Sequence, residues 1–533
     1  MKAMYKRIKE KAKVLYHYNF IDENEKNFIK HNKENWGDIL NKNNKPKRNM
    51  VLLEFCSLQH CVISWSYFAN FFANMYDADI YTYGMPYEKR NKTLLKIYES
   101  FNVKKFIEEK FSKSYEKDLK LLANRLLSNI KSKNELRDYE FCGVNVGQDI
   151  YESYLIQGNP TINFNDNKLQ NIFFKAILKV IFWENYLKYN PVKTIIVSHD
   201  CYLGNIIRRI ANKYDINVYQ ITTFFGCKLT KEYNSGSNFK YYKNLFLQLD
   251  SEERMGLKQW AKERLLRRFS GEVGVDMPYS HKSSFGEFKN KRVLKMGTNI
   301  KVLICTHCFF DNPYAYGKNI LFPDFYEWLM FLGEMSKKTC YDWYLKCHPD
   351  YREGTKEILS QILEKYPNIT MLPEDVPHQQ LVDEGIKFVF TVYGTVGCEY
   401  PLMGVQVINA GNNPHIAYDF CWNPSTVEEL EFLVMNLEKL NKHINKDEIY
   451  EFYGLHHKYA AYFSENRKIN NVFFHSEDDL RTFLGEEMYT SKMYKYFLKD
   501  FNENKHREIL KNIEKFYIKM EEYSDNKIVS KET

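Results

Sequence analysis

The sequence predicts an α/β protein made of two doubly wound, Rossmann-like domains with helical extensions at both ends. In the second half of the chain, apolar strand-like runs alternate strictly with helical segments, which is typical of a parallel sheet covered by helices. The first half shows a similar alternation in two strand–helix–strand units. The chain has 533 residues, of which 44% are hydrophobic, so it is too long for one ordinary core and can fill more than one.

The first strand–helix–strand unit opens the domain that we expect over residues 49–290. Its strands are predicted at VLLEF and ADIYTYG, and the run VISWSYFANFFANMY between them has apolar residues at helical spacing. Residues 93–190 are mainly amphipathic helix. A second unit follows as VKTIIVSHD, LGNIIRRIANKY and INVYQIT, so the first half is itself an α/β domain.

A change in composition marks the junction between the two domains. Residues 251–298 interrupt the alternation with a basic helix, KERLLRRF, and a run rich in Gly, Ser and charge. We therefore expect the second domain over residues 291–475. Its strands are predicted near residues 301–305, 343–346, 369–372, 387–391 and 405–409.

Charged segments extend the chain at both ends. Residues 1–48 are interpreted as a helical extension that ends in the polar run NKNNKPKR. In the tail, residues 476–533, apolar residues recur every three or four positions among charges, which favours helices packed on the body. A basic amphipathic membrane anchor is the alternative. The apolar positions are Met493, Phe497, Phe501, Ile509, Ile513, Phe516 and Met520.

The composition of the chain limits which binding partners and which cellular location we expect. Lys and Arg total 76 against 68 Asp and Glu, a net charge of +8, which suits an anionic substrate or a membrane surface. The sequence contains no recognisable nucleic-acid-binding module, so we expect no nucleic-acid partner. It also lacks a secretory signal and a spanning apolar stretch. We therefore expect a cytoplasmic protein, either free or peripheral at the inner face of the cytoplasmic membrane.

Two motifs resemble metal sites but have simpler explanations. The eleven cysteines fit reduced core thiols, and the CxxC pair Cys305 and Cys308 lacks a second ligand pair, so it reads as a strand running into its loop. Asp77 and Asp79 match the Asp-x-Asp pattern that holds a divalent metal, yet they join a helix to a strand and read as a turn. We predict no metal site, and the chain has no GxxxxGK[ST] loop for ATP hydrolysis.

Two polar loops that follow predicted strands of the second domain carry the strongest functional signal. DWYLKCHPD places Lys346, His348 and Pro349 after one strand, and TVYGT places Gly394 and Thr395 after another. Parallel strands end at one edge of a sheet, and ligands bind in the crevice beyond that edge. A helix starting at Thr395 offers backbone N–H groups to a phosphate, and His348 can donate a hydrogen bond to one. The loops predict a nucleotide site; a capping histidine and an ordinary turn are the alternatives.

Three further polar residues are expected near this edge. Glu399, one helical turn after Thr395, can accept hydrogen bonds from both ribose hydroxyls. Its neighbours are apolar, so a buried carboxylate at this position would need a partner. Asn412 and His415 follow the last strand and are candidates for reading the base or the sugar. A polar loop is the competing interpretation for that pair.

Longer segments surround these loops. They are HCFFDNPYAYGKNILFPDFYEWL, KCHPD, TVYGTVGCEYPLMG and GNNPHIAYDF in the second half, and VLLEFCSLQHCVISWSYFANFFANMYDADIYTY and SHDCYLGNIIRRIANKYDINVYQIT in the first. Together they resemble bacterial capsule and surface-polysaccharide biosynthesis proteins, including capsular Kdo transferases, over roughly residues 50–430. The resemblance implies a glycosyltransferase of the GT-B type, in which His348 contacts the donor nucleotide and Glu399 its ribose.

The same resemblance implies the reactants. The donor is a nucleotide sugar, CMP- or UDP-linked, which acts as a co-substrate, and no tightly bound cofactor is expected. The acceptor is a glycan or a lipid-linked glycan of a capsule or another surface polysaccharide, with capsule assembly proteins as partners. Without a metal, the helix dipole and side-chain cations would stabilise the departing phosphate.

Four residues within or after predicted strands are candidates for the catalytic base or nucleophile. Sugar transfer requires a carboxylate or an imidazole to take the proton of the acceptor hydroxyl, or a nucleophile where the anomeric configuration is retained. Each candidate also fits a helix cap, and the sequence does not rank them: Asp200, His199, Asp311 and Glu54. Three arginines fit either an anionic acceptor or a charged helix face: Arg264, Arg267 and Arg268.

Three other functions are compatible with the sequence, because a fold does not fix a reaction. A polyol-phosphate transferase similar to the teichoic-acid polymerases shares the architecture and a His-Pro element, but such proteins usually show Thr-Asp-Tyr-Ser-Ser where this chain has TVYGT at residues 391–395. A nucleotide-sugar epimerase would act without an acceptor. A non-catalytic scaffold of a capsule assembly complex would use the helical extensions.

Overall fold

The computed structural model describes residues 21–42, 46–84, 92–223, 226–231, 239–276, 282–289, 291–315, 319–348, 352–460, 473, 490–499 and 501–524. Two separate sheets built mainly of parallel strands lie within this part of the chain, and each has core residues on both faces. They confirm the predicted α/β class with two doubly wound, Rossmann-like units.

The first sheet has the strand order of a doubly wound fold. Its strands are β1 (Asn49–Glu54), β2 (Ala78–Tyr83), β3 (Val103–Phe106), β6 (Val192–Val197), β7 (Asn217–Ile221) and β8 (Gly226–Leu229), with β4 (Glu140–Phe141) and β5 (Val144–Asn145) in a separate hairpin. The order is β3-β2-β1-β6-β7-β8, and the pairs are parallel except that β8 is antiparallel to β7. The topological switch point therefore lies between β1 and β6.

The second sheet repeats this arrangement. Its strands are β9 (Lys301–Cys305), β11 (Asp342–Lys346), β12 (Ile369–Met371), β13 (Ile386–Thr391) and β14 (Gln406–Asn409), while β10 (Asn319–Ile320) and β15 (Gly411–Asn412) form a small antiparallel pair. The order is β12-β11-β9-β13-β14, and all its pairs are parallel. The switch point lies between β9 and β13. All five strands lie within one residue of their predicted bounds.

Helices cover both sheets, and several begin at the caps that their sequences provide. Asp250 caps one helix in a capping box with Glu253, and Asp324 caps another. No helix in the described ranges is long and apolar enough to cross a membrane. The helices are α1 (Glu23–Lys42), α2 (Gln59–Met75), α3 (Lys92–Ser100), α4 (Lys113–Asn129), α5 (Lys133–Arg137), α6 (Gly147–Leu155), α7 (Asn167–Tyr189), α8 (Ile206–Lys213), α9 (Tyr242–Gln248), α10 (Ser251–Phe269), α11 (Phe325–Lys338), α12 (Thr355–Lys365), α13 (His378–Asp383), α14 (Val396–Leu402), α15 (Val427–Val434), α16 (Lys446–Gly454), α17 (Lys492–Leu498) and α18 (Glu503–Ser524).

Both helical extensions pack on one face of the first sheet. Alternate residues of β1 point to opposite faces, so Val51 lies in the core beneath α2, whereas Leu52 lies in the core beneath α7. The ring of Phe28 in α1 stacks on Tyr494 in α17, with centroids 4.4 Å apart, in the α2-side core. Phe501 is partly buried there, and the other predicted apolar tail positions are buried.

Two helices that precede the predicted boundary at residue 290 pack with the second sheet. Leu257, Ala261 and Leu265 of α10 share a core with Leu303 of β9 and Val389 of β13. Residues of α9 and α16 belong to the same core. The domain boundaries after residues 48, 290 and 475 stay predictions.

Hydrogen bonds join the two halves. Asp324, at the start of α11, accepts hydrogen bonds from the hydroxyl groups of Tyr151 (2.5 Å) and Thr161 (2.7 Å) in the first half. Glu152 Oε1 accepts the backbone N–H of Tyr314 at 2.9 Å. The loop that follows β9 is thereby held against α6 of the first half.

Candidate functional site

A pocket opens beyond the carboxyl ends of the second sheet, next to its switch point. Its wall includes Lys346 at the end of β11 and His348 just after it, Thr395 and Glu399 around the start of α14, Arg268 of α10, His378 of α13 and residues 282–285. The structure therefore brings together four of the predicted binding residues, namely Lys346, His348, Thr395 and Glu399. Pro349 lies outside the described residues.

Lys346 places a buried amine in the pocket wall. Its side chain is 3% exposed, and Nζ donates a hydrogen bond to the carbonyl of Glu374 at 2.6 Å. Burial lowers the pKa of Lys346, because removal from water disfavours the charged form. An anion in the pocket would restore the favourable interactions that the ammonium loses on burial.

His348 contributes an exposed imidazole to the same wall. It lies two residues beyond Lys346, as the KCHPD motif predicts. The end of β11 is tied to the loop after β9, since Thr306 N–H donates to the Lys346 carbonyl at 3.2 Å. The last residue of β11 and the first residue after β9 are thus fixed together at the edge of the sheet.

His378 is a pocket residue that the sequence analysis missed. It begins α13 and is buried, with Nδ1 2.7 Å from the hydroxyl oxygen of Tyr400. Burial lowers the pKa of His378 to about 3, and the charges of Lys346 and Arg268 add to this effect. Its imidazole is therefore neutral near pH 7. No local motif marks it, because the groups that surround it come from distant parts of the chain.

Glu399 has the partner that its apolar surroundings require. Its carboxylate is 2% exposed, and Oε1 accepts hydrogen bonds from Nε and Nη2 of Arg268, the first at 3.0 Å. Burial alone would lower the pKa of Arg268, but Glu399 more than offsets it, and the pKa is raised. Arg268 also donates to the carbonyl of Val275 at 2.8 Å. The pair therefore joins α10 to α14 in the pocket wall.

The turn before α14 is close-packed. A Cβ atom on Gly394 would lie 3.0 Å from Thr391 Oγ1 and 3.5 Å from His307 Cε1, so this position favours glycine. Thr395 precedes α14 and lines the pocket. His307 Nε2 accepts the N–H of Val392 at 3.1 Å, and its ring stacks on Tyr393. His307 therefore ties the loop after β9 to the end of β13.

Asn412 and His415 lie outside the pocket lining described above. Asn412 is exposed and pairs with Asn319 in the small antiparallel pair. His415 is buried, its Nδ1 lies 3.0 Å from Asn413 Oδ1, and a Cβ on Gly397 would lie 2.3 Å from its ring. Burial lowers the pKa of His415 to about 3. The structure thus places His415 in the core behind α14, and reading of the base or sugar by this pair stays a prediction.

A second polar cluster lies at the switch point of the first sheet and contains two candidate catalytic residues. Glu54 ends β1, and its Oε2 accepts the N–H and the hydroxyl of Ser198, at 2.6 and 2.7 Å. The hydroxyl oxygen of Ser198 lies 2.8 Å from Nδ1 of His199. His199 is exposed, whereas Asp200 is buried. Glu54, Ser198 and His199 are called the edge relay below.

Asp311 lies where the two halves meet. It is half-buried, and its Oδ1 accepts the N–H of Asn312 at 2.8 Å. A side-chain hydrogen bond joins Asn312 to Cys201, which follows Asp200. Burial raises the pKa of Tyr202, and Asp311 contributes to the rise. The structure therefore brings Asp311 close to the loop that carries His199 and Asp200.

The remaining arginines of α10 are paired with acidic residues of the following loop. Arg264 donates to both carboxylate oxygens of Asp276, and Arg267 pairs with Glu272. The pKa of Asp276 is lowered although burial would raise it, because Arg264 donates to its carboxylate. Each of the three predicted arginines thus has an acidic partner within the chain.

Asp77 of the Asp-x-Asp motif lies in the turn between α2 and β2, and Asp79 lies in β2. Asp77 has a positive φ of 45° and forms an ion pair with Lys47 at 2.9 Å. Asp79 Oδ2 accepts the N–H of Lys47 at 2.9 Å. Within the described residues, no group of three or more His, Cys, Asp or Glu side chains is arranged to hold a metal ion.

Comparisons with known proteins give weak structural likenesses. No family model and no curated protein matches the sequence. The "beta Kdo 2,4 transferase" KpsC of Thermosulfurimonas dismutans is 12% identical, with a TM-score of 0.31 over 49% of this chain and 79% of that one. UDP-GlcNAc 2-epimerase of Methanocaldococcus jannaschii is 12% identical, with a TM-score of 0.23 over 75% and 97%. A glycosyltransferase of Rickettsia africae is 10% identical, with a TM-score of 0.21 over 90% and 100%. At these TM-scores the likenesses bear on neither activity nor substrate.

Proposed function

We propose that the protein is a glycosyltransferase of the GT-B type that moves a sugar from a nucleotide-sugar donor to a glycan acceptor of a capsule or another surface polysaccharide. The observation that carries the proposal is the pocket at the edge of the second sheet, where Lys346 and His348 meet the Arg268–Glu399 pair. A ligand crevice beyond the carboxyl ends of parallel strands is the expected binding place in such a sheet.

The pocket chemistry suits the phosphate and the ribose of a nucleotide. Lys346 supplies a cation, and His348 supplies a hydrogen-bond donor for phosphate oxygens. Arg268 occupies Oε1 of Glu399, which leaves Oε2 as the acceptor for a ribose hydroxyl. The same cation and donor would stabilise the negative charge that develops on the leaving phosphate. In this proposal the donor half of the reaction needs no metal ion.

A thermal-shift panel tests the nucleotide site. CMP, CDP, UDP, GDP and ADP and their sugar conjugates are added to the native protein and to His348→Ala. A ligand present at 100 times its Kd stabilises the folded state by about 2.7 kcal/mol, so its melting temperature should rise. We expect one base to stabilise the native protein selectively and His348→Ala to lose most of that effect.

The control is His443→Ala, which removes an exposed histidine that does not line the pocket. It should respond to nucleotide like the native protein. Stabilisation by no nucleotide would contradict the proposed site and favour the scaffold function. If a nucleotide sugar binds and its sugar is converted to an epimer without transfer to any acceptor, the epimerase function replaces the transferase.

A further inference from the structure

We propose that His199 is the base that takes the proton of the acceptor hydroxyl, and that Glu54 and Ser198 fix its ring so that Nδ1 carries the hydrogen and Nε2 is the proton acceptor. This inference rests on the transferase function proposed above and assigns a residue to its acceptor half. His199 is the catalytic residue in this assignment, whereas Glu54 and Ser198 are positioning residues.

The hydrogen bonds of the edge relay determine which nitrogen of His199 is protonated. A carboxylate only accepts hydrogen bonds, so the single hydroxyl hydrogen of Ser198 points to Glu54 Oε2, 2.7 Å away. The Ser198 oxygen must then accept at its 2.8 Å contact with His199 Nδ1. Nδ1 therefore carries the hydrogen of the neutral ring, and Nε2 keeps its lone pair.

The backbone holds this relay in place. Glu54 Oε2 also accepts the N–H of Ser198 at 2.6 Å, so the carboxylate binds the strand end as well as the hydroxyl. Glu54 and Ser198 lie at the ends of β1 and β6, the neighbouring strands on either side of the switch point. Both positioning groups are thus set by the sheet itself.

Burial separates His199 from the other candidates for the base. His199 is exposed, whereas Asp200 is 4% exposed. Glu54 holds Ser198 through Oε2, and Asp311 caps its own loop by accepting the N–H of Asn312. Of the four residues predicted from the sequence, His199 combines solvent access with a defined proton-accepting atom.

The loop that carries His199 is fixed against the half that holds the pocket. Glu152 Oε2 accepts the N–H of Tyr202 at 3.5 Å, and Oε1 accepts the N–H of Tyr314 at 2.9 Å. One buried carboxylate therefore spans the loop after β6 and the loop after β9. A base on the first loop lies on the side of the first half that meets the second half.

The proposed step is a direct displacement at the anomeric carbon of the donor sugar. The O–H bond of the acceptor breaks, and its proton forms an N–H bond with Nε2 of His199. The acceptor oxygen forms a bond to the anomeric carbon as the bond from that carbon to the phosphate oxygen breaks. The phosphate oxygen keeps the electron pair and leaves with the nucleotide. The ring becomes imidazolium, and the Ser198–Glu54 relay lies against its Nδ1 side and stabilises the charge.

The first test needs no substrate and determines which tautomer of the His199 ring is present. The full chain is labelled with ¹⁵N-histidine, and the ring nitrogens are observed by NMR at about pH 8, where an unperturbed histidine is neutral. His199→Gln assigns the signal. We expect hydrogen on Nδ1 and none on Nε2 in the native protein. Ser198→Ala should shift the population towards the Nε2–H tautomer, and Ser198→Thr, which keeps a hydroxyl, should restore the native signal.

The catalytic role is tested with the nucleotide sugar that the thermal-shift panel selects. The measured activity is release of free nucleotide with water as acceptor. We expect the kcat of His199→Gln to be about 100-fold or more below that of the native protein, with little change in KM. Its stabilisation by nucleotide should equal that of the native protein, which separates failure of this proposal from failure of the pocket. A native Nε2–H tautomer, or full turnover by His199→Gln, would overturn the assignment.

Discussion

Arg268 and Glu399 lie 131 positions apart in the sequence, yet Arg268 Nε is 3.0 Å from Glu399 Oε1 in the pocket wall. Their side chains are 15% and 2% exposed. Two charges in such a place stabilise each other, but the cost of removing them from water is of similar size. Removing one partner should therefore lower the free energy of unfolding by more than the intact pair raises it.

Arg268→Met is expected to lower the free energy of unfolding by about 3–5 kcal/mol, because it leaves the carboxylate of Glu399 buried without its cation. Urea unfolding followed by circular dichroism measures the change. Arg267→Met is the matched control on the same helix. Its side chain and that of its partner Glu272 are 43% and 36% exposed, so its loss should cost about 1 kcal/mol or less. Equal losses in the two variants would contradict the buried pairing.

This pair shows how far the sequence predicts the site. Apolar neighbours indicated that Glu399 is buried and needs a partner, and strand endings placed Lys346 and His348 on one edge. Both predictions use local spacing. The sequence did not identify Arg268 as the partner of Glu399, because Arg268 occurs beside Arg264 and Arg267 in a run that resembles a solvated helix face. Only the packing of α10 on the second sheet distinguishes Arg268 from the other two arginines.

The fold was more predictable than the site for a related physical reason. Strand positions follow from local apolar runs, so the five strands of the second sheet were placed within one residue. His378 and the edge relay depend on side chains brought together by tertiary packing. His378 meets Tyr400 across 22 positions, and Glu54 meets Ser198 across 144. No spacing rule reaches over those distances.

Gly397→Ala is expected to destabilise the protein by about 1–3 kcal/mol, because overpacking forces a shift in a filled core. The new Cβ would lie 2.3 Å from the ring of His415, which Phe452 and Asn413 hold in place. Gly256→Ala in α10 is the control, since nothing lies within 4 Å of its Cβ position. That change should stabilise by about 0.4–1 kcal/mol. Differential scanning calorimetry measures both changes. A gain of stability in both variants would contradict the close packing of Gly397 against His415.

His415 should make stability depend on pH. Burial lowers its pKa from 6.5 to about 3, so between those values the unfolded chain binds a proton that the folded chain does not. Its contribution is complete above about pH 6.5 and is lost as the pH falls towards 3. When the pH falls from about 7.5 to about 5.5, this single group should lower the free energy of unfolding by about 1.4 kcal/mol.

The measurement compares urea unfolding of the native protein and His415→Gln at those two pH values. Other titrating groups cancel in the comparison, so the native protein should lose about 1.4 kcal/mol more than the variant on acidification. An identical pH dependence would show that His415 is accessible to protons in the folded state.

Lys346→Met tests the charge of the pocket apart from its folding. Methionine fills a similar volume without an ammonium group, so the variant should fold at least as stably as the native protein, which pays to bury Lys346. A hydrogen bond to a charged group contributes about 1.5–3 kcal/mol. Nucleotide affinity measured by calorimetric titration should therefore fall by about 10- to 150-fold. Lys356→Met is the control, because that lysine is 57% exposed and pairs with Glu374 outside the pocket lining. Unchanged affinity in Lys346→Met, or an equal loss in both variants, would show that the buried ammonium does not contact the nucleotide.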